Sequence, residues 1–478
     1  MKVDLQTLVR PWRAALVPLL AALVLAGCAT APAEPPSFAA PAQFKEQGAV
    51  PPSGQWTRAE PAEGQPRGEW WRAFNDPVLD ALVARADANN TSIQSAAARL
   101  AEARALARST DADRAPQIGL GASAVRQSGL DRNFSTTPST LISAGVDFSY
   151  ELDLFGKLAG ASNAAQLDAQ AREELLQSTR LLVQAETAQA YLRLRALDAE
   201  SELMRETVAA YSDTLRLVQS RHRAGDIAEL DVARAETELA STESEALNVE
   251  RRRAEQEHAL AVLVGDAASS FGVRGEDWST ALPAIPSGVP ATVLTRRPDV
   301  SAAQKSVLAA QARVGVAQAA WFPNVALTGG GGYASSDIGD LVKWSARSWG
   351  IGALLSLPLF DGGRREAGVQ GASAQLDGAL ANYREQVLGA FKDVEDQLAS
   401  LRILEAQSGV QARAVASARR ATALSDSRYR NGLVSQLDLL DARRSELLNR
   451  RAALQVRSAQ YQSTVGLIRA LGGGWETL

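Results

Sequence analysis

The chain has 478 residues, enough for two or three domain-sized units. Its 50 Lys+Arg against 54 Asp+Glu give a formal net charge of -4, without the basic excess of a nucleic-acid binder. One Cys excludes a disulfide framework, a CxxC redox pair and a Cys-based zinc site, and two His exclude a His-rich metal site.

Lys2, Arg10 and Arg13 form a basic start, followed by an apolar stretch from Ala14 to Ala26. That length suits a secretory signal and is short for a membrane span. It runs into Leu25-Ala26-Gly27-Cys28, which resembles the bacterial lipobox. Residues 1–27 are read as a signal peptide and Cys28 as the lipidated new N-terminus; an ordinary signal peptide with a chance Cys is the alternative. Ala29 stands where lipoproteins kept at the inner membrane usually carry Asp, so the expected destination is the outer membrane. Two or more acyl chains would anchor the protein stably there. Residues 28–69 form a tether, with eight prolines between Pro32 and Pro66.

A first repeat is expected over residues 70–265. It starts with a short helical part and continues into two β-like segments. Gln117 to Arg126 places Ile118, Leu120, Ala122 and Ala124 on one side; Val146, Phe148, Tyr150, Leu152 and Leu154 alternate with Asp147, Ser149, Glu151 and Asp153. Period-two alternation means one apolar face and one different face. No Pro occurs from Gly156 to Leu282, and the stretch is dense in strong helix formers. Arg221-His222-Arg223 followed by Gly225 reads as the end of a helix about 100 Å long, then a tight turn and a second helix.

Residues 266–297 are a Gly/Pro/Ser-rich linker, and 298–473 read as a second copy of the unit, with a short tail at 474–478. Asn90 to Ala96 lies against Arg297 to Ala303, 207 residues on. Pro116 against Pro323 and Ser220 to Gly225 against Ser427 to Gly432 keep that offset. The second copy starts a strand at Val325 and Leu327 that is expected to fade in Gly329 to Gly332. A clearer one alternates through Trp349, Ile351, Ala353, Leu355 and Leu357, with a second Pro-free helical stretch after it. The fold class is therefore mainly α with a small β part, in two tandem structural repeats.

These strands fit either a half-buried soluble sheet or transmembrane strands with an apolar outer face. Four strands cannot close a membrane barrel, because open edges in lipid leave backbone groups unpaired. If they span a membrane, several chains must share one barrel, and three chains supply twelve strands.

Tyr150-Glu151-Leu152-Asp153-Leu154-Phe155-Gly156-Lys157 and Leu357-Pro358-Leu359-Phe360-Asp361-Gly362-Gly363-Arg364 resemble the strand-to-helix junctions of the TolC family of outer-membrane efflux proteins. Trp71 to Pro77, Arg296 to Asp299 and Trp321 to Pro323 are similar to further motifs of its lipoprotein subgroup (NodT- and OprM-like). The resemblance runs from about Trp70 to Gly473. It implies a homotrimer whose twelve strands form one outer-membrane β-barrel, continued by a long periplasmic α-helical barrel. It also implies a periplasmic adaptor, an inner-membrane RND-type transporter, and passive conduction of drugs or other small solutes to the outside of a Gram-negative cell. No cofactor is expected beyond a covalent lipid on Cys28, and no metal, nucleic acid or enzymatic chemistry. Charged loops Ser128 to Thr140 and Ser335 to Arg347 are expected outside, with Trp344 and Trp349 in an interfacial belt.

By the same resemblance the hairpin tips, Ala224-Gly225-Asp226 and Asn431-Gly432-Leu433, meet the adaptor. Asp438 and Asp441 match an acidic ring near the tunnel constriction. Asp231 and Tyr429 match positions that hydrogen-bond across neighbouring helices in the closed state. A helix-start Asp that offsets the helix dipole is the alternative reading of these carboxylates. Type I secretion and metal-ion efflux remain alternatives within the channel class. A purely structural periplasmic coiled-coil lipoprotein is the alternative outside it.

Overall fold

The structure is a computed structural model that describes residues 44–46, 68–128, 138–283 and 296–473. The expected signal peptide, Cys28, most of the Pro-rich tether, much of the first strand-connecting loop and of the inter-repeat linker, and the C-terminal tail lie outside the described residues. In chain order the elements are α1 (Pro77–Asn89), α2 (Thr91–Ala112), β1 (Gln117–Gln127), β2 (Ser139–Leu152), α3 (Lys157–Arg223), α4 (Glu229–Leu263), α5 (Pro298–Ala319), β3 (Asn324–Ser335), β4 (Arg347–Ser356), α6 (Arg364–Arg430) and α7 (Gln436–Ala470). Both α3 and α6 have 67 residues, and both α4 and α7 have 35. At 1.5 Å per residue the longer pair are each about 100 Å long.

The chain divides into two compact units, each drawing on both repeats. One holds the strands with the adjoining parts of α2, α3, α5 and α6. Its antiparallel sheet runs in the order β1-β2-β3-β4, so β1 and β4 are both edges. β1 meets β2 with Gly119 opposite Asp147, β2 meets β3 with Asp147 opposite Gly330, and β3 meets β4 with Gly330 opposite Gly350. One face carries Ile118, Leu120, Val146, Phe148, Trp349, Ile351 and Leu355. Leu120 is 85% exposed and Ile351 84%. An open apolar face of this kind on strands of 10 to 14 residues suits lipid, not a half-buried soluble sheet. The opposite face is built largely of Gly, Ser, Ala and Thr.

The expected fading of the third strand does not occur: β3 runs unbroken through Gly329 to Gly332 and ends at Ser335. As an interior strand it takes main-chain hydrogen bonds from β2 and β4, and these do not depend on its side chains. At the junctions Phe155 stacks on Phe322 with centroids 4.7 Å apart, and the Arg365 guanidinium lies 4.6 Å from the Trp321 ring while pairing with Asp361 at 2.6 Å. No described helix is both long and apolar enough to cross a membrane.

The other unit packs α1, the greater parts of α3 and α6, and all of α4 and α7. The Trp71 to Pro77 motif has a structural account here. Trp70, Trp71 and Phe74 are buried and adjoin Tyr461 and Trp278. Asp76 caps α1 through the amides of Val78 and Leu79, and Pro77 fills the first helical position. The same carboxylate accepts from the hydroxyls of Tyr191 at 2.9 Å and Thr280 at 2.8 Å. Burial, then that carboxylate, pushes the Tyr191 hydroxyl well above its ordinary pKa. The repeats are joined by reciprocal hydrogen bonds between Gln189 and Gln462, each side-chain amide donating to the other residue's carbonyl. Arg451 reaches Glu200 at 2.8 Å and Glu245 at 2.6 Å. A short N-terminal piece also docks: Phe44 is buried against Phe391, the amides of Lys45 and Glu46 donate to Glu395, and Glu46 pairs with Arg402 at 2.8 Å.

Both hairpins end at a left-handed glycine. Gly265 has φ +79° and Gly472 φ +88°. A Cβ on Gly265 would lie 2.6 Å from the Asn89 carbonyl oxygen; one on Gly472 would lie 3.1 Å from that of Arg296. Only glycine satisfies both the turn and the close approach.

Candidate functional site: the two hairpin tips

The first tip joins α3 to α4. The amide of Asp226 donates to the Arg221 carbonyl at 3.0 Å and that of Gly225 to the His222 carbonyl at 2.9 Å, closing the helix end around Gly225 at φ +83°. His222 Nδ1 donates to the Ile227 carbonyl at 3.1 Å. Ala228 occupies the extended N-cap position of α4 and offers no side-chain bond to it. Glu229 and Asp231 in the first turn offset the helix dipole, and Asp231 lies 3.8 Å from Arg234. Ala224, Gly225 and Asp226 are all exposed.

The second tip has the same backbone and a different finish. Leu433 donates to the Arg428 carbonyl at 2.9 Å and Gly432, at φ +69°, to that of Tyr429 at 3.0 Å. The Asn431 side-chain amide donates to the Ser427 carbonyl at 2.7 Å. Ser435 and Asp438 form a reciprocal capping box at the start of α7. The Ser435 hydroxyl, then its backbone amide, hold the Asp438 carboxyl below its ordinary pKa. Asp438 thus folds back on its own helix start. Asp441 is largely exposed, with Arg444 at 3.8 Å. Leu433 projects at the apex, 73% exposed.

Tyr429 is 4% exposed, and the Arg221 guanidinium of the first hairpin sits 4.9 Å from its ring centroid. Its hydroxyl has no hydrogen-bond partner within the protomer, and Asp231 faces Arg234 instead. Within the protomer the two tips meet through Arg221 and Tyr429.

Further links unite the hairpins close to the tips. Arg443 of α7 donates to the Ala210 carbonyl of α3 at 3.0 Å and to the Thr214 hydroxyl, and pairs with Asp426 of α6 at 3.2 Å. Arg444 reaches Glu238 of α4 through its Nε at 2.7 Å. Burial, with Glu238 next, pushes the Tyr211 hydroxyl up to about 12. In the sequence Arg221 figures only as part of a helix-end cluster, and Arg443, Arg444 and Glu238 do not stand out among the many helical charges. The one local signal is the three-residue spacing of Asp441 and Arg444 on one helix face.

A duplicated chain with two long hairpins and an open-edged, apolar-faced sheet has the features of a membrane channel protein. The sequence profile of the family described as outer membrane efflux protein matches residues 82–266 and 289–473. The cation efflux system protein CusC of Escherichia coli O6:H1 is 31% identical over 469 residues, covering 96% of this chain and 99% of CusC. The solvent efflux pump outer membrane protein SrpC of Pseudomonas putida is 32% identical over 464 residues, covering 96% and 98%. The solved structure of the outer-membrane channel OprN superposes with a TM-score of 0.84 at 30% identity, over 93% of this chain and all of that one. The chain belongs to the outer membrane efflux protein family. It is an efflux channel protein of the outer membrane.

Proposed function

We propose that three copies of this chain form the outer-membrane duct of a tripartite efflux system. A periplasmic adaptor would dock at the tips, and an inner-membrane RND-type transporter would supply the energy. The observation that carries this reading is the sheet. Both of its edges are open while its outer face is apolar, and neighbouring copies pairing β4 to β1 would satisfy the edge groups. The chain is then a passive conduit and not an enzyme. A covalent lipid on Cys28 would add a second hold on the membrane.

The cargo is read as drugs or other small organic solutes, in line with the solvent-pump relative SrpC. Metal-ion efflux is the second reading, favoured by the likeness to the cation efflux protein CusC.

The test is native mass together with planar-bilayer conductance of the detergent-extracted protein. A trimer with small, flickering, cation-selective currents is expected. A monomer or dimer without conductance overturns the shared barrel. Phe148→Asp on the apolar face should impair membrane assembly, because a charge on the lipid face is destabilising, by less than the ~2–4 kcal/mol of a midplane Arg or Lys.

A further inference from the structure

Gln436, the first residue of α7, is only 6% exposed, yet neither its amide nitrogen nor its carbonyl oxygen has a hydrogen-bond partner. The Tyr429 hydroxyl nearby in the tip is sealed and unpaired in the same way. These burials hold for a single protomer. A neighbouring copy or a docked protein only covers more surface, so neither can reach these atoms unless the tip first moves.

The burial of Gln436 follows from the helix phase. The Ser435–Asp438 capping box fixes the first turn, and Gln436, Leu439 and Leu440 then share the buried face. The next residue, Leu437, faces out. The usual pattern is inverted, with the amide inside and the leucine outside. Such an inversion is expected at a site selected for something other than stability. A buried polar group without a partner weighs against the state that buries it, whereas an apolar group of the same shape does not.

We propose that Gln436 is a positioning residue of the channel's tip, resting on the channel reading above. Its unpaired amide biases the tip away from this packed arrangement. Outward movement of the first turn of α7 gives the amide to water, so the differential affinity a docking partner must supply to drive that movement is reduced. The Tyr429 hydroxyl adds to the same bias.

The test uses the full-length trimer. Gln436→Met keeps the volume and removes the polar atoms. It should lower single-channel open probability about 10-fold, equivalent to about 1.4 kcal/mol, and raise the thermal midpoint. Gln436→Glu should shift both readouts the other way, and Tyr429→Phe should act like the Met variant, less strongly. A merely structural glutamine would lose stability in both Gln436 variants. Shifts of the same sign in Met and Glu, or an unchanged open probability in Met, overturn the proposal. A lower midpoint in Met also overturns it, because the amide would then be satisfied, by a buried water for example. Hydrogen exchange across residues 439–444 needs no conductance. Slower exchange in Met over a silent wild type removes the channel reading and keeps the loosened tip; unchanged exchange overturns the loosened tip.

Discussion

The first and second repeats close their hairpins at the same positions with different chemistry. In the first, the Asn90 amide caps α2 and donates to the Leu263 carbonyl at 2.9 Å. In the second, 207 residues on, Arg297 donates to the Ala470 carbonyl at 3.2 Å and pairs with Asp299 at 2.7 Å and Asp393 at 3.1 Å. The glycines at 265 and 472 are unchanged, because a backbone conformation has one solution whereas an open carbonyl has several. The tips diverge the same way. Ala228 leaves α4 uncapped where Ser435 caps α7, although Asp231 stands ready where Asp438 completes the box. The first tip is solvated and loosely finished; the second is capped, apolar at its apex and packed around Tyr429. Duplication thus supplied two equal frames, and their ends became specialised.

The largest expected effect that probes this difference is at the arginine. Arg297→Ala strands two carboxylates and a carbonyl and should cost about 3 kcal/mol, whereas Asn90→Ala should cost about 1 kcal/mol. Equal drops in the thermal midpoint would break the claim that the two closures differ in kind. Next come the glycines. Gly265→Ala and Gly472→Ala should each cost about 1–2 kcal/mol, with Gly265 the worse because its contact is tighter. Smaller still, Ser435→Ala should lose about 1 kcal/mol of helix-start stability, and Ala228→Ser should gain somewhat less by building a box with Asp231. Hydrogen exchange in the first turns of α7 and α4 reads both, and a null result at Ala228 would show that the first tip tolerates no cap. The smallest effect is that of pH. The Asp438 pKa is lowered on folding from its ordinary 3.8, so its contribution is complete above that value and is lost as pH falls through the folded one. The start of α7 should fray below about pH 4 and be flat from pH 5 to 7. Asp438→Asn should remove that dependence.

Much of the frame was legible in one sequence. The Pro-free stretch, with the basic cluster and Gly225 that mark a helix end, outlined α3 to within two residues at its C-terminal end, and the near-constant offset paired the repeats before any contact was known. Alternation found β1, β2 and β4 but undervalued β3, because a glycine run has no pattern to read and owes its strand to neighbours. At the tips, the turns and caps were legible from local chemistry. The pairing of Arg221 with Tyr429 and the bridge from Arg443 to Thr214 join residues more than 200 positions apart, which periodicity does not reveal. The buried Gln436 was hidden because a polar residue at a helix start ordinarily faces water.

The register of the sheet has a consequence for transit. At the level of Asp147 the small-residue face presents Gly119, Gly330 and Gly350 from the other three strands, and the next row presents Gly121, Gly145, Gly332 and Ser348. In the proposed duct the only side chains in these two rows are Asp147 and Ser348, and the rest is bare main chain. A molecule passing there meets peptide dipoles and water and few side chains that could grip or sort it. Such an exit offers no shaped or apolar subsite and one carboxylate per copy, so it can favour cations by charge while it leaves finer discrimination to whatever loads it.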